Sequence, residues 1–352
     1  MKIYGISFDL WDTLIFDSMI NRTSKINRYV ELLSSYGLTE KDILSAYKYR
    51  FPEEDATQGK KTKAMTVDSR VNVLFHKLKL NKRDSLYLAQ SISDISLAYL
   101  PIVAPEVITT LNKLSSILPL AIISNTRWTY GTTSRKILEK LQLDSYFKSA
   151  VFSEEIGWAK PAPQLFIKAW SSLGIDPAKT IHIGDSLNRD HQGLKITGGK
   201  SIVSRVINRC PEKGEFEADA ICWNYKDLLV LIHYFLSGTL PCQWQELTQG
   251  IPISGTLVAG EVFFFNKDPN IPSGCILVFK ELVQYDIDLH NSPSAILLEW
   301  YFLEKDFAQI LRFVDIVCII AVKDFVYSLN NGQHLLLDGR SGKIWRENDI
   351  EN

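Results

Sequence analysis

Two aspartates, a serine and a lysine, widely separated along the chain, make a set with an evident chemical use. Asp9 lies in Ile6-Ser7-Phe8-Asp9-Leu10-Trp11-Asp12-Thr13-Leu14, and Ser124 in Ile122-Ile123-Ser124-Asn125. Lys160 lies in Gly157-Trp158-Ala159-Lys160-Pro161, and Asp185 in His182-Ile183-Gly184-Asp185-Ser186. Paired carboxylates can hold a magnesium ion, which takes hard oxygen ligands. A lysine and a hydroxyl can bind the oxygens of a phosphoryl group. A carboxylate so placed can attack phosphorus in line, giving an aspartyl-phosphate that water later hydrolyses. Asp9 by itself could equally cap a turn; the reading rests on all four groups.

That chemistry requires the four to meet, and the surrounding pattern predicts that they do. Residues 3–8 are short, apolar and β-prone, and polar residues begin abruptly at Asp9. Similar strands are predicted at 119–123, ending in Ser124, and at 180–183, ending in Gly184-Asp185. Further strands are predicted at 150–152, 201–204 and 218–222, with helices at 105–117, 132–141, 163–173, 190–197 and 225–236. This alternation predicts an α/β fold with a doubly wound parallel sheet. Parallel strands bring their carboxyl ends, and so Asp9, Ser124 and Asp185, to one edge, where such sheets put their ligand crevice. Lys160 stands in a loop, and Pro161 disfavours helix at the lysine.

Between the first strand and this rhythm the chain is helical, at 23–36, 39–50, 69–78 and 82–99, with a polar loop at 55–63. Thr39-Glu40-Lys41-Asp42 offers a capping-box start. An insertion over roughly residues 16–100 is expected to cover the crevice as a helical cap. Trp158 and His182 are expected in the core and His191 on an exposed helix start. Arg127 and Trp128, just after Ser124, are candidates to reach a substrate.

The 352 residues allow two domains, and a net charge of −1 provides no one-signed field to recruit nucleic acid. Five scattered cysteines form no CxxC pair, so neither a disulfide framework nor a zinc site is indicated. No stretch reads as a leader or a bilayer span, so a cytoplasmic protein with no membrane partner is expected. Gly238, Pro241 and Gly250 punctuate residues 238–250, the expected linker. The remainder, 251–352, reads as a compact β-rich α/β module. Its predicted strands are 255–265 (hairpin or long strand, interrupted at Gly260), 274–279, 295–299, 316–322, 333–337 and 342–345, with a helix at 305–314.

Residues 1–237 resemble the haloacid dehalogenase superfamily, whose four motifs appear in order. They are Phe8-Asp9-Leu10-Trp11-Asp12-Thr13-Leu14, Ile122-Ile123-Ser124-Asn125, the stretch from Ser153 to Pro161, and His182-Ile183-Gly184-Asp185 continuing through Asp190 to Gly198. The resemblance implies Asp9 as nucleophile. It implies magnesium held by Asp9, Asp185 and the Trp11 carbonyl, with Asp190 supporting from the outer shell. It implies Ser124, Asn125 and Lys160 at the phosphoryl group of a small phosphorylated substrate. One departure matters: the general acid–base aspartate usual two residues after the nucleophile is here Trp11, and Asp12 follows it. Either Asp12 serves from the next position, or turnover is attenuated, or the reaction needs no protonated leaving group. A weakly active or non-catalytic phosphate-binding protein and a metal-independent dehalogenase remain as alternatives.

Residues 251–352 resemble the mobile phosphohistidine domain of phosphoenolpyruvate-utilising enzymes, through the stretches 254–262, 274–278 and 332–344. In that register the phosphoryl-carrying histidine falls on Asp306, so the module is expected to be degenerate and to serve packing, substrate binding or a protein partner.

Overall fold

The computed structural model describes residues 2–47, 63–77, 85–209, 217–252, 256–264, 271–279, 293–298, 316–320 and 325–348. The chain divides into two compact units. The first comprises Tyr4–His182 and Asn188–Gly199; the second comprises Lys200–Asn352 with Met1–Ile3 and Ile183–Leu187, so the division cuts a strand after His182. It lies ahead of the linker expected at 238–250. Asp306 and the helix expected at 305–314 lie outside the described residues.

The first unit is built on parallel strands. β1 (Gly5–Phe8) is buried along its length, because both faces of a parallel strand are covered by helices. It pairs in parallel with β4 (Leu120–Ser124), which pairs in parallel with β5 (Phe147–Phe152); β6 (Thr180–Gly184) lies on the other side of β1. The connecting helices are α5 (Val107–Ser115), α6 (Gly131–Lys140), the short α7 (Ser153–Ile156), α8 (Pro163–Ser171) and α9 (Gln192–Thr197). α8 starts on Pro163, whose missing N–H is no loss at a first helical turn. Its face Leu165, Phe166, Ala169 and Trp170 packs against Ala121, Ile123 and Val151 of the sheet. Gly5 is required there, since a Cβ would stand 2.7 Å from the Trp170 ring.

An excursion interrupts this pattern. β2 (Ile15–Phe16) and β3 (Ile102–Val103) pair antiparallel, so the chain leaves and returns at one place. The described helices between them are α1 (Met19–Ser34), α2 (Glu40–Tyr47), α3 (Val67–Lys77) and α4 (Ser85–Ala98). The Ser18 hydroxyl caps α1 by accepting from Asn21 N at 3.1 Å. The capping box before α2 forms as expected: Thr39 N donates to Asp42 Oδ2 at 3.0 Å, and Asp42 N to Thr39 Oγ1 at 3.3 Å. Tyr29, Val67, Val71, Leu88, Ile92 and Ile95 give these helices their own core.

The helix expected at 190–197 is two elements. A π-helical turn, Leu187–His191, precedes α9. The wider turn carries Asp190 inward, and His191, expected on the surface, goes with it and is 2% exposed.

In the second unit, β7 (Lys200–Ser204) pairs in parallel with β8 (Ala220–Cys222), and β8 with β11 (Leu257–Phe264). The parallel run continues through β12 (Ile276–Phe279), β13 (Ala295–Leu298) and β14 (Val317–Ile320). One in-register row, Val262, Ile276, Ala295 and Val317, shows how period-2 alternation fills this core. β10 (Ile251–Pro252) closes antiparallel on β14. β15 (His334–Asp338) pairs antiparallel with β11 and with β16 (Lys343–Glu347), which pairs with β9 (Trp244–Gln249). β9 falls within the expected linker: the turn residues around it mark its ends, and pairing with a strand about a hundred residues away is invisible locally. Gly260 does not interrupt β11. A Cβ there would meet Gly274 O at 2.7 Å, so the glycine permits close backbone approach. Among the described residues no helix is long and apolar enough to cross a membrane.

α10 (Tyr225–Ser237) is capped by Asn224 and tied to the β15–β16 hairpin through His334. His334 Nε2 lies 2.9 Å from Asp227 Oδ1, and Nδ1 lies 2.8 Å from Glu347 Oε2. Burial opposes the imidazolium, but the two carboxylates outweigh it and raise His334 from 6.5 to about 9. A folded-state value above the unfolded one stabilises fully below pH 6.5 and is lost as pH rises through about 9. We therefore expect urea midpoints to fall across that window by the equivalent of about 2–3 kcal/mol. His334→Gln should be less stable at pH 6 and nearly flat across the window; a parallel curve would show that His334 does not carry the dependence.

Candidate functional site

The floor of the site is a buried ion pair. Lys160 Nζ lies 2.9 Å from Asp9 Oδ1 and 2.5 Å from Asp190 Oδ1, and the lysine side chain is wholly buried. Desolvation opposes the ammonium, but Asp190 and Asp9 overcome it and hold Lys160 above its ordinary range. Burial likewise opposes ionisation of Asp190, and Lys160, with His182, overrides it and holds that carboxyl far below its usual range. Lys160 and Asp190 are thus charged together.

Three elements hold this pair. The chain ahead of the cis Lys160–Pro161 peptide is clamped by Asn125: Lys160 N donates to Asn125 Oδ1 at 2.7 Å, and Asn125 Nδ2 to Lys160 O at 3.2 Å. Asn125, expected at the phosphoryl group, has its amide engaged at both ends with the Lys160 backbone and is a positioning residue. His182 on β6 sits 3.0 Å from Asp190 Oδ1 through Nε2 and 2.9 Å from Ser7 Oγ through Nδ1. A carboxylate only accepts, so Nε2 carries the proton and Ser7 donates to Nδ1. Burial keeps that ring neutral. His182 is therefore the satisfied core histidine expected from sequence, and it also orients Asp190.

Asp9, 6% exposed, directly follows β1, and Leu10 N donates to its Oδ1 at 2.8 Å. Oδ1 thus receives both Leu10 N and Lys160. Among the described residues no hydrogen bond is made to Oδ2, which leaves that oxygen for chemistry. Asp185 directly follows β6, and its backbone carbonyl accepts from the wholly buried Arg205 at 2.6 Å. One carboxylate oxygen each from Asp9, Asp185 and Asp190 lies within 4.8 Å of the others. Three buried oxygen donors suit a hard divalent cation.

Asp9 opens into a cleft of about 210 Å³. Ser124, the last residue of β4, lines it, as do Trp11 and Asp12. Asp12 adopts φ 58°, in the left-handed region that aspartate tolerates better than most residues. Partial burial in the cleft and then the Asp9 charge raise its carboxyl above the ordinary range. Arg127 and Trp128 also line the cleft. Lys160, Asp185 and Asp190 are not among the residues that line it.

Sequence reasoning missed a further part of the cleft lining, made by Asp17, Arg22, Lys25, Tyr29 and Arg70. A signal was present. Arg22, Lys25 and Tyr29 are spaced i, i+3, i+7, so they share one helix face, and a lysine on a buried face asks for an explanation. Arg205, which steadies the turn bearing Asp185, left no comparable signal.

A family model described as haloacid dehalogenase-like hydrolase matches residues 3–198. Haloacid dehalogenase-like hydrolase domain-containing protein 3 of Bos taurus is 36% identical over 86 residues, which are 24% of this chain and 33% of that protein. The chain thus spans about a third of that relative's length. Glyceraldehyde 3-phosphate phosphatase of Methanopyrus kandleri is 27% identical over 199 residues, 56% of this chain and 81% of that protein. Among solved structures, 2-haloacid dehalogenase from Pseudomonas syringae pv. Tomato aligns with a TM-score of 0.51 at 22% identity, covering 66% of this chain and 99% of that one, a likeness of fold.

Removing one partner of a buried pair leaves its mate uncompensated. Asp190→Asn should cost about 3 kcal/mol in urea unfolding. An unchanged midpoint would show that the pair does not hold the floor together.

Proposed function

The chain belongs to the haloacid dehalogenase-like hydrolase family, and we propose that it is a magnesium-dependent phosphatase working through an aspartyl-phosphate on Asp9. The observation that carries this reading is Asp9 itself. One oxygen is fixed by Leu10 N and a buried ammonium, and the residue opens into a cleft lined by Ser124. The named phosphatase relative supports the same choice.

Asp9 Oδ2 attacks phosphorus as the ester oxygen departs in line. Asp12, with a carboxyl raised by partial burial and Asp9, donates the proton that the leaving alcohol needs. In the second half, Asp12 takes a proton from the water that opens the acyl phosphate, regenerating the Asp9 carboxylate. Ser124 binds a phosphoryl oxygen, and Lys160 holds Asp9 in place throughout. Asp9 and Asp185 would hold the magnesium ion, the Trp11 carbonyl adding an oxygen. Asp190, whose Oδ1 is engaged by Lys160 and His182, would support the ion from behind. When bound, the ion neutralises charge on the phosphoryl oxygens.

Helices α1, α3 and α4 line the cleft through Arg22, Lys25, Tyr29, Arg70 and Ser96, and with α2 they act as the cap that admits substrate. The 251–352 region serves as a swivel-like module that packs or recognises a protein partner, without the carrier histidine; its parallel β11–β14 run supports an α/β module of that kind.

Hydrolysis of p-nitrophenyl phosphate with magnesium tests this reading. Turnover should disappear with chelator and fall at least ~10³-fold in Asp9→Asn. Asp12→Asn should lower kcat by ~10²–10⁴. Turnover that survives in Asp9→Asn would sink the proposal. An Asp12→Asn enzyme as fast as the parent would remove Asp12 from proton transfer, leaving Trp11 as the mark of an attenuated enzyme.

A further inference from the structure

The phosphatase reading leaves the charge of the cleft lining unused. At the floor, Lys160 is matched by Asp9 and Asp190. The cleft itself is lined by five cationic side chains, Arg22, Lys25, Arg70, Arg127 and Arg189, against three carboxylates, Asp9, Asp12 and Asp17. A narrow cleft with excess charge of one sign favours a ligand of the other.

The lining cations divide by what they already hold. Lys25, 4% exposed, donates to Asp17 at 2.6 Å and lies 5.3 Å over the Trp11 ring, so its charge is matched. Arg70, 2% exposed, donates to the Thr126 carbonyl at 3.3 Å, anchoring α3 two residues beyond Ser124. Arg22 differs. It is exposed, it lines the cleft, and among the described residues its guanidinium makes no hydrogen bond or ion pair. Its field nevertheless reaches Asp12, whose carboxyl it lowers against the larger effects that raise it. Sharing a face with Lys25 and Tyr29, it presents five donors with a planar fork suited to a carboxylate or phosphate.

We propose that the substrate is a small phosphate ester carrying a second anionic group, and that Arg22, beside Lys25 and Arg70 in the cleft lining, reads that group. The inference rests on the phosphatase reading for the direction in which the ester lies. Arg22 is here a specificity residue, and the volume of about 210 Å³ suits a compact ester.

A matched pair of esters tests it: 2-phosphoglycolate, with a carboxylate, and 2-hydroxyethyl phosphate, with a hydroxyl in its place. For the full-length chain with magnesium, kcat/KM should favour the carboxylated ester by about tenfold or more, mainly through KM. Arg22→Gln, at an exposed position, should bring that ratio to within about threefold of unity. Calorimetry on the Asp9→Asn variant should show the same preference in binding, abolished in Asp9→Asn/Arg22→Gln. Equal handling of the two esters by the parent overturns the inference, as does an Arg22→Gln variant that weakens both alike. If no ester is hydrolysed yet the carboxylated one binds in preference and loses that preference without Arg22, the phosphatase reading fails and this one stands. Failure of both esters to bind defeats both readings.

Discussion

A lysine ammonium with no solvent contact is the constraint on which the rest of the first unit depends. An isolated ammonium in a protein interior is so costly that it would deprotonate or stay outside. Lys160 does neither, because two carboxylates from distant parts of the chain reach it. Each of those carboxylates is held in turn: Asp9 by Leu10 N, Asp190 by His182, and His182 by Ser7. β1, β6 and the π-helical turn must therefore sit in register for the charge to be tolerated at all. The same requirement fixes Asp9 before any ligand arrives, as the nucleophile proposed above would need.

Above that floor the cleft is polar with more cations than carboxylates, and part of its lining comes from helices that leave the sheet through β2 and return through β3. The division of labour follows from packing. The sheet edge is over-determined by backbone ladders and the ion pair, so it can hold reacting groups to a fraction of an ångström. The helices have a separate apolar core, so their cleft-facing side chains can differ without disturbing the floor. Arg22 shows the consequence: a cation on an exposed helix turn, reaching into the cleft, whose replacement touches no buried contact.

The second unit repeats the physics in another form. Its parallel run buries a row of aliphatic side chains, and its antiparallel strands close the unit through pairings of long sequence separation. His334, partly buried between two carboxylates, joins α10 to the terminal hairpin by the same logic that governs Lys160: a cation accepted inside because counter-charges reach it.

The local pattern of the chain by itself determined the parallel strands, the helices between them and the residues that end each strand. Asp9, Ser124 and Asp185 were legible because strand burial and an abrupt polar onset are short-range signals. The capping box at Thr39 was legible for the same reason. What only the tertiary structure decided depends on distance in space. Asn125, expected on a phosphate, also clamps the Lys160 backbone from the cleft lining; His191 was expected outside and is carried in by the π turn. β9 was taken for linker because its partner is a hundred residues away. Arg22 and Arg205 gained their meaning from what stands opposite them. Hydrophobic periodicity records which face of an element is covered, whereas pairing of charges records what covers it, and that information exists only once the chain has folded.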